Sequence, residues 1–286
     1  MTQTRNAPMR RLAATLVAFS LSLFAAPVLA QQSENEKLDA LFTALALPEM
    51  LQIMREEGLV YGDAMAEDLF GGQPPRRWSA VVSDIYDVDR MTETVRATFG
   101  AGLEGDDIDT MLDFFTSAPG QTVITLEVAA RRALLDDATD AASKEAAAVA
   151  MVDETPRFQL VRDLVEANDL IESNVVGALN SNYAFFMGML DGGAMQGGVT
   201  SETALQQVWG QEGQIRVSTT EWIYAFLLMA YQPLSDDDLE IYTAFSKTDA
   251  GQDLNDALFT SFNDMFDDLS RALGLASSRF MVSQEL

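Results

Sequence analysis

Acids set beside an aromatic residue and a Gly-Gln step are the residues of this chain whose spacing invites a chemical reading. They occur twice. One copy runs from Leu103 through Asp106-Asp107-Ile108 to Phe114, Ser117, Pro119, Gly120 and Gln121; the other runs from Leu234 through Asp237-Asp238-Leu239 to Phe245, Thr248, Gly251 and Gln252. The offset, Leu103 to Leu234, is 131 positions without a gap. It also carries Trp78 onto Trp209 upstream and Asp136-Asp137 onto Asp267-Asp268 downstream. Paired carboxylates can ligate a hard cation, or divide general acid and base work between them. The spacing lacks the ligand pattern and turn glycine of a calcium loop. Helix capping accounts for the same residues: Ser235 as N-cap with Asp236, Asp237 and Asp238 in the first turn, and Gly105 as cap with Asp106-Asp107 in the other copy, where negative charge complements the helix dipole. Ser117 and Thr248 are placed to cap the following helix, with Pro119 in its first turn. Gly120 and Gly251 cost helix stability, which predicts another backbone passing close to each, with Gln121 and Gln252 free to hydrogen-bond across the junction.

Composition narrows the chemistry further. The chain has no Cys and no His. Disulfides, thiolate nucleophiles, Ser-His-Asp arrangements and His-ligated zinc are therefore excluded. Carboxylate-pair hydrolysis is the enzymatic chemistry that the remaining residues best permit.

The elements that must position these residues are helices. Apolar residues recur at helical spacing almost everywhere and alternate almost nowhere. Leu38, Leu41, Phe42 and Leu45 open the series, and Leu51 and Met54 follow Pro48. Trp78, Val81, Val82 and Ile85, continued by Met91, Val95 and Phe99, predict one helix. Further helices are expected over Ile108 to Phe115, Val123 to Leu135 and the Ala-rich 141–150, and a long one over Leu254 to Leu273. Gly71-Gly72-Gln73-Pro74-Pro75 and Gly197-Gly198 predict loops, and Ser201 a cap. The fold class is all-α, read as a tandem repeat of two similar multi-helix units, 31–153 and 157–274, packed as one or two bundles. Residues 275–286 read as a flexible tail. The all-apolar run Trp222 to Tyr231 predicts a helix buried on several sides.

Residues 1–30 read as a cleavable signal peptide: Arg5, Arg10 and Arg11, then an apolar run, then Val28-Leu29-Ala30 before a cleavage point after Ala30. No later segment is long and apolar enough to span a bilayer, so a periplasmic location is expected. The formal net charge of −26 becomes three units more negative once that leader is gone. Such a surface repels nucleic acid and favours cations and basic partners.

The segment Phe114-Phe115-Thr116-Ser117-Ala118-Pro119-Gly120-Gln121 resembles the bacterial exported domains grouped as domain-of-unknown-function family twenty fifty-nine, whose pattern reads roughly Phe-Tyr-x-Ser-Pro-x-Gly-Gln/Arg-Lys. Here the Pro stands one place later. Phe245 to Gln252 is a poorer match and lacks the Pro. The resemblance implies two degenerate copies of an all-α periplasmic domain and brings no catalytic residues with it.

Three functions follow as expectations. The first is a non-enzymatic exported interaction or scaffold module, without cofactor or metal, for an unknown and basic envelope protein. The second is a carrier or sensor of an apolar ligand held between the helical units, motivated by Phe185-Phe186-Met187 and 14 methionines. The third is a carboxylate-dependent hydrolase of envelope glycans. Specific function is expected where the copies differ, in 183–200 and 222–231.

Overall fold

The computed structural model describes residues 25–71, 75–194 and 200–284. Among them the secondary structure is entirely helical. The first half runs through α1 (Ala25–Ala44), α2 (Leu47–Phe70), α3 (Trp78–Ile85), α4 (Val88–Gly102), α5 (Ile108–Phe115), α6 (Ala118–Ala133) and α7 (Asp137–Val152). The second runs through α8 (Pro156–Ala167), α9 (Leu170–Gly192), α10 (Ser201–Trp209), α11 (Glu212–Ala230), α12 (Asp236–Ser246) and α13 (Asp249–Gln284). Residues 1–24 of the predicted leader lie outside the described residues, as do 72–74 and 195–199 of the two Gly-rich loops; the predicted cleavage point after Ala30 falls within α1. No described helix is long and apolar enough to cross a membrane.

Short polar side chains decide where most helices begin. Asp136, Thr155 and Ser235 cap α7, α8 and α12 by accepting the N–H three residues on. Three expectations are corrected by the same physics. The stripe from Trp78 to Phe99 is two helices, because Asp87 adopts an extended backbone and accepts the Arg90 N–H at 3.0 Å, starting α4 afresh. The cap of α5 is Asp107, which accepts the Thr110 N–H at 3.1 Å, while Gly105 turns the preceding loop with φ +94°. Thr200, not Ser201, caps α10. α2 and α9 instead begin at left-handed residues, Ala46 and Asp169, and end at left-handed Gly71 and Gly193.

Over 275–284 the expected flexible tail is also corrected, while 285–286 lie outside the described residues. α13 continues to Gln284, with Ser277 and Ser278 fully buried. Phe280 closes an aromatic triangle with Phe70 and Trp78, at ring distances of 6.4 and 5.8 Å. α13 reaches that far because it runs hard against α9: a Cβ on Gly188 would overlap the Arg271 carbonyl oxygen, and one on Gly274 would overlap that of Phe185. The two glycines interlock, so each backbone fills the space where the other would carry a side chain.

The helices pair in the same order in both halves: α1 on α5 and α8 on α12, α2 on α3 and α9 on α10, α2 on α4 and α9 on α11. The last helices cross over. α13 packs on α3, α4 and α5, and its Leu254, Ala257, Met265, Leu269 and Leu273 complete the core of Leu41, Leu51, Trp78, Phe99 and Met111. α6 and α7 pack on α11, and their Val123, Ala130 and Ala147 complete the core of Val161, Leu164, Ile223, Ala225 and Leu239. Neither half therefore closes its core without helices from the other.

Candidate functional site

The two copies of the repeated motif meet face to face. Phe114 at the end of α5 stacks on Phe245 at the end of α12, with ring centroids 4.1 Å apart and planes 8° from parallel. Phe115 packs edge-on against both rings, and Tyr242 stacks on Phe114 with ring centroids 5.8 Å apart. The turn that follows is the same in both places. Ser117 donates its hydroxyl to the Phe114 carbonyl at 2.5 Å and accepts the Gly120 N–H at 3.3 Å. Thr248 donates to the Phe245 carbonyl at 2.7 Å and accepts the Gly251 N–H at 3.1 Å. A Cβ on Gly120 would overlap the Phe114 carbonyl oxygen, and one on Gly251 that of Phe245, so the helix starts where the preceding backbone still touches it.

The two junctions differ in their glutamines. Gln252 donates to the Ala167 and Ser246 carbonyls at 3.0 and 2.5 Å, tying α13 to the end of α8. Gln121 lies exposed on α6. The motif acids stay at the surface, where Asp107 and Ser235 cap their helices and Asp236, Asp237 and Asp238 fill the first turn of α12. Hydrogen bonds from the Thr110 hydroxyl and N–H hold the Asp107 carboxyl below its usual range. No group of three or more acids among the described residues is arranged to hold a metal ion. The two tryptophans do not share an environment. Trp78 is fully buried and donates Nε1–H to the Gly62 carbonyl at 2.8 Å, whereas Trp209 is 58% exposed at the end of α10.

Beside the stacked Phe pair lies a cavity of about 620 Å³, lined by helices from both halves and open to solvent on one side. Phe245 and Gly251 of the motif line it, as do Phe115 and Tyr242. Most of the wall is apolar: Met50 and Met54 from α2, Trp222 and Phe226 from α11, and Phe259, Phe262 and Phe266 from α13. Trp222 and Phe226 stack at 5.4 Å and 9°. The volume sits in the ~300–1,000 Å³ range of small-molecule sites, and a mostly apolar lining with few polar groups is their usual chemistry.

The polar groups fall into two sets. On one side asparagines are bound to backbone: Asn168 donates to the Leu164 carbonyl at 3.1 Å, Asn174 to that of Leu170 at 2.7 Å, and Asn255 to that of Asn168 at 3.1 Å. On the other, α6 brings Glu127 and Arg131 into the wall. Arg131 is committed to Glu57 of α2 through two hydrogen bonds, 2.9 and 2.7 Å, and lies 5.4 Å over the Trp222 ring. Glu127 accepts a 2.5 Å hydrogen bond from the Tyr231 hydroxyl. Burial pushes the Glu127 carboxyl up to about 7, against the opposing effect of that hydrogen bond. Burial, and next the charge of Glu127, push the Tyr231 and Tyr242 hydroxyls well above their ordinary value. Among the described residues, Glu127 is the only carboxylate in the cavity wall.

Sequence reasoning placed the site only in part. Residues 222–231 supply Trp222, Ile223, Phe226, Leu227 and Tyr231 to the wall. The stretch 183–194 supplies none; Phe185 packs into the first core, and Phe186 joins Val175, Leu179 and Val208 beneath α10. Glu127 and Arg131 were missed, although their signal stands in the sequence: Val123, Ile124, Glu127 and Arg131 share one helical face, so an acid interrupts an otherwise apolar stripe. No family model, curated protein or solved structure matches the chain.

Proposed function

We propose that this protein is a non-enzymatic carrier or sensor of an apolar or amphipathic small molecule, bound in the cavity between its halves. The observation that carries this reading is the cavity itself: about 620 Å³, walled by aromatic and methionine side chains, with one partly buried carboxylate, Glu127, in the wall. An apolar body seated there would take mostly apolar and aromatic wall area out of water, which is favourable.

Several finer assignments accompany it. The protein is read as exported to the periplasm by the leader 1–30, and as a duplicated helical unit related to the exported domains that the Phe114 to Gln121 segment resembles. The left-handed joints at Ala46 and Asp169, the matched pairings of helices and the matching capped turns at Ser117 and Thr248 support the duplication. Duplication would explain why the cavity lies where the copies meet.

Native mass spectrometry of protein purified from its host tests the reading. The expected result is an additional mass of a few hundred daltons that leaves on denaturation. Protein that is ligand-free, and that takes up no apolar probe when one is offered, would contradict it. A second reading, an interaction module for a basic envelope protein, draws on the acidic surface and on Leu205 and Trp209, both exposed along α10. It expects recovery of such a partner from envelope extracts to fall steeply with salt.

A further inference from the structure

The cavity wall contains one ionisable group that the fold leaves without a counter-charge. Glu127 has Tyr231 as its hydrogen-bond donor. Arg131 stands one helical turn away on the same face, the spacing at which a Glu and an Arg ordinarily pair. It turns instead to Glu57, which it grips through both Nε and Nη2. Tyr231 and Tyr242, which feel the Glu127 charge, are themselves neutral, while the acids of α5, Asp109 and Asp113, face solvent. Even a partly buried carboxylate is costly to keep charged without a cation beside it. The fold could have met that cost with the arginine already present, and does not.

We infer that the ligand of this cavity is an amphiphile with a cationic alkylamine head, its ammonium seated on the Glu127 carboxylate and its chain lying among Phe226, Phe259, Phe262 and Phe266. The inference rests on the cavity being a ligand site. An ionised carboxylate only accepts hydrogen bonds. Tyr231 supplies one donor, and an ammonium supplies the charge and the further donors that the site lacks. A fatty acid would bring a second negative charge to a carboxyl that already lacks a partner, inside a molecule of net charge −26. A long-chain alcohol would satisfy a hydrogen bond but leave the charge uncompensated. The aromatic walls favour the cation further, since ring faces attract positive charge.

Decylamine, decanol and decanoate share one chain and differ in the head, and calorimetric titration of each below its aggregation concentration separates the alternatives. At about pH 8, where an alkylamine is protonated, the wild-type protein should bind decylamine at least about tenfold more tightly than decanol, with decanoate weakest. The Glu127→Gln variant should bind decanol as the wild type does and lose the preference for the amine. In the wild type the preference should also shrink at about pH 5.5, below the range in which the carboxyl ionises; this arm serves if the variant does not fold. Equal binding of amine and alcohol by the wild type, or a preference that survives in Glu127→Gln, would overturn the head-group assignment and leave the apolar site standing. No binding of any of the three would overturn both.

Discussion

Glu127 concentrates the energetics of the site in one side chain. Its carboxyl titrates near 7 in the folded protein, against 4.5 ordinarily, because burial penalises the charged form. A raised carboxyl value means that the native state holds a proton which the unfolded state has already released, over the window from about 4.5 to 7. Stability therefore falls as pH rises through that window, by an amount on the order of a few kcal/mol once screening is allowed for, and then levels off. This runs opposite to the usual carboxylate contribution. Urea unfolding of the ligand-free wild type and of Glu127→Gln across the window should show this slope in the wild type and its loss in the variant. A wild type and variant with parallel profiles would remove Glu127 as the source. Asp107 and Asp136 sit at the other extreme: exposed, hydrogen-bonded at helix starts and held below their usual range, first by the hydroxyls of Thr110 and Thr139.

At the scale of elements, close backbone contact rather than side-chain filling sets the geometry. α9 and α13 approach through Gly188 and Gly274, each occupying the place of the other's missing side chain. Alanine is a better helix former than glycine by about 1 kcal/mol, so propensity alone predicts that Gly274→Ala stabilises. The contact with the Phe185 carbonyl predicts the reverse, a loss of about 1–3 kcal/mol from overpacking. Chemical denaturation decides the sign, with Gly213→Ala as control, since a Cβ at Gly213 meets nothing.

Much of this scale was legible in the sequence. Ser117, Thr248 and Ser235 cap where their residue types say they should, and the close backbone at Gly120 and Gly251 follows from glycine being kept where it is costly. The tail was not legible, because Gly274, Ser277 and Ser278 look like helix-weakening residues until the neighbouring backbone they accommodate is known. Nor was the break before α4 found, since the apolar stripe runs unbroken through Asp87 and only the cap divides it. Trp209 matches Trp78 in register, but one is exposed and the other is core, so register alone does not transfer environment.

At the scale of the whole molecule, the exchange of terminal helices means that folding and site formation are one event. α13 completes the core of the first half, and α6 and α7 complete that of the second. Because only some 120 residues lie in each half, as the sequence divides at 153–157, two independent bundles would also have satisfied the pattern; which helix packs on which depends on contacts far apart in the chain and leaves no periodic trace. A chain cut between Asp153 and Thr155 tests the exchange. Each half alone should show helical circular dichroism without a cooperative melt, and mixing the two should restore a single transition. Two halves that each melt cooperatively and fail to associate would show separate domains.

The central claim is that the space between the halves holds an apolar ligand. Crystals grown with 1-bromodecane test it most directly, because bromine scatters anomalously and reports its own position. The expected result is an anomalous peak within the cavity bounded by Trp222, Phe226 and Phe262. Bromine bound only at surface sites such as the exposed Leu205 and Trp209 of α10, with the cavity left without any, would contradict it.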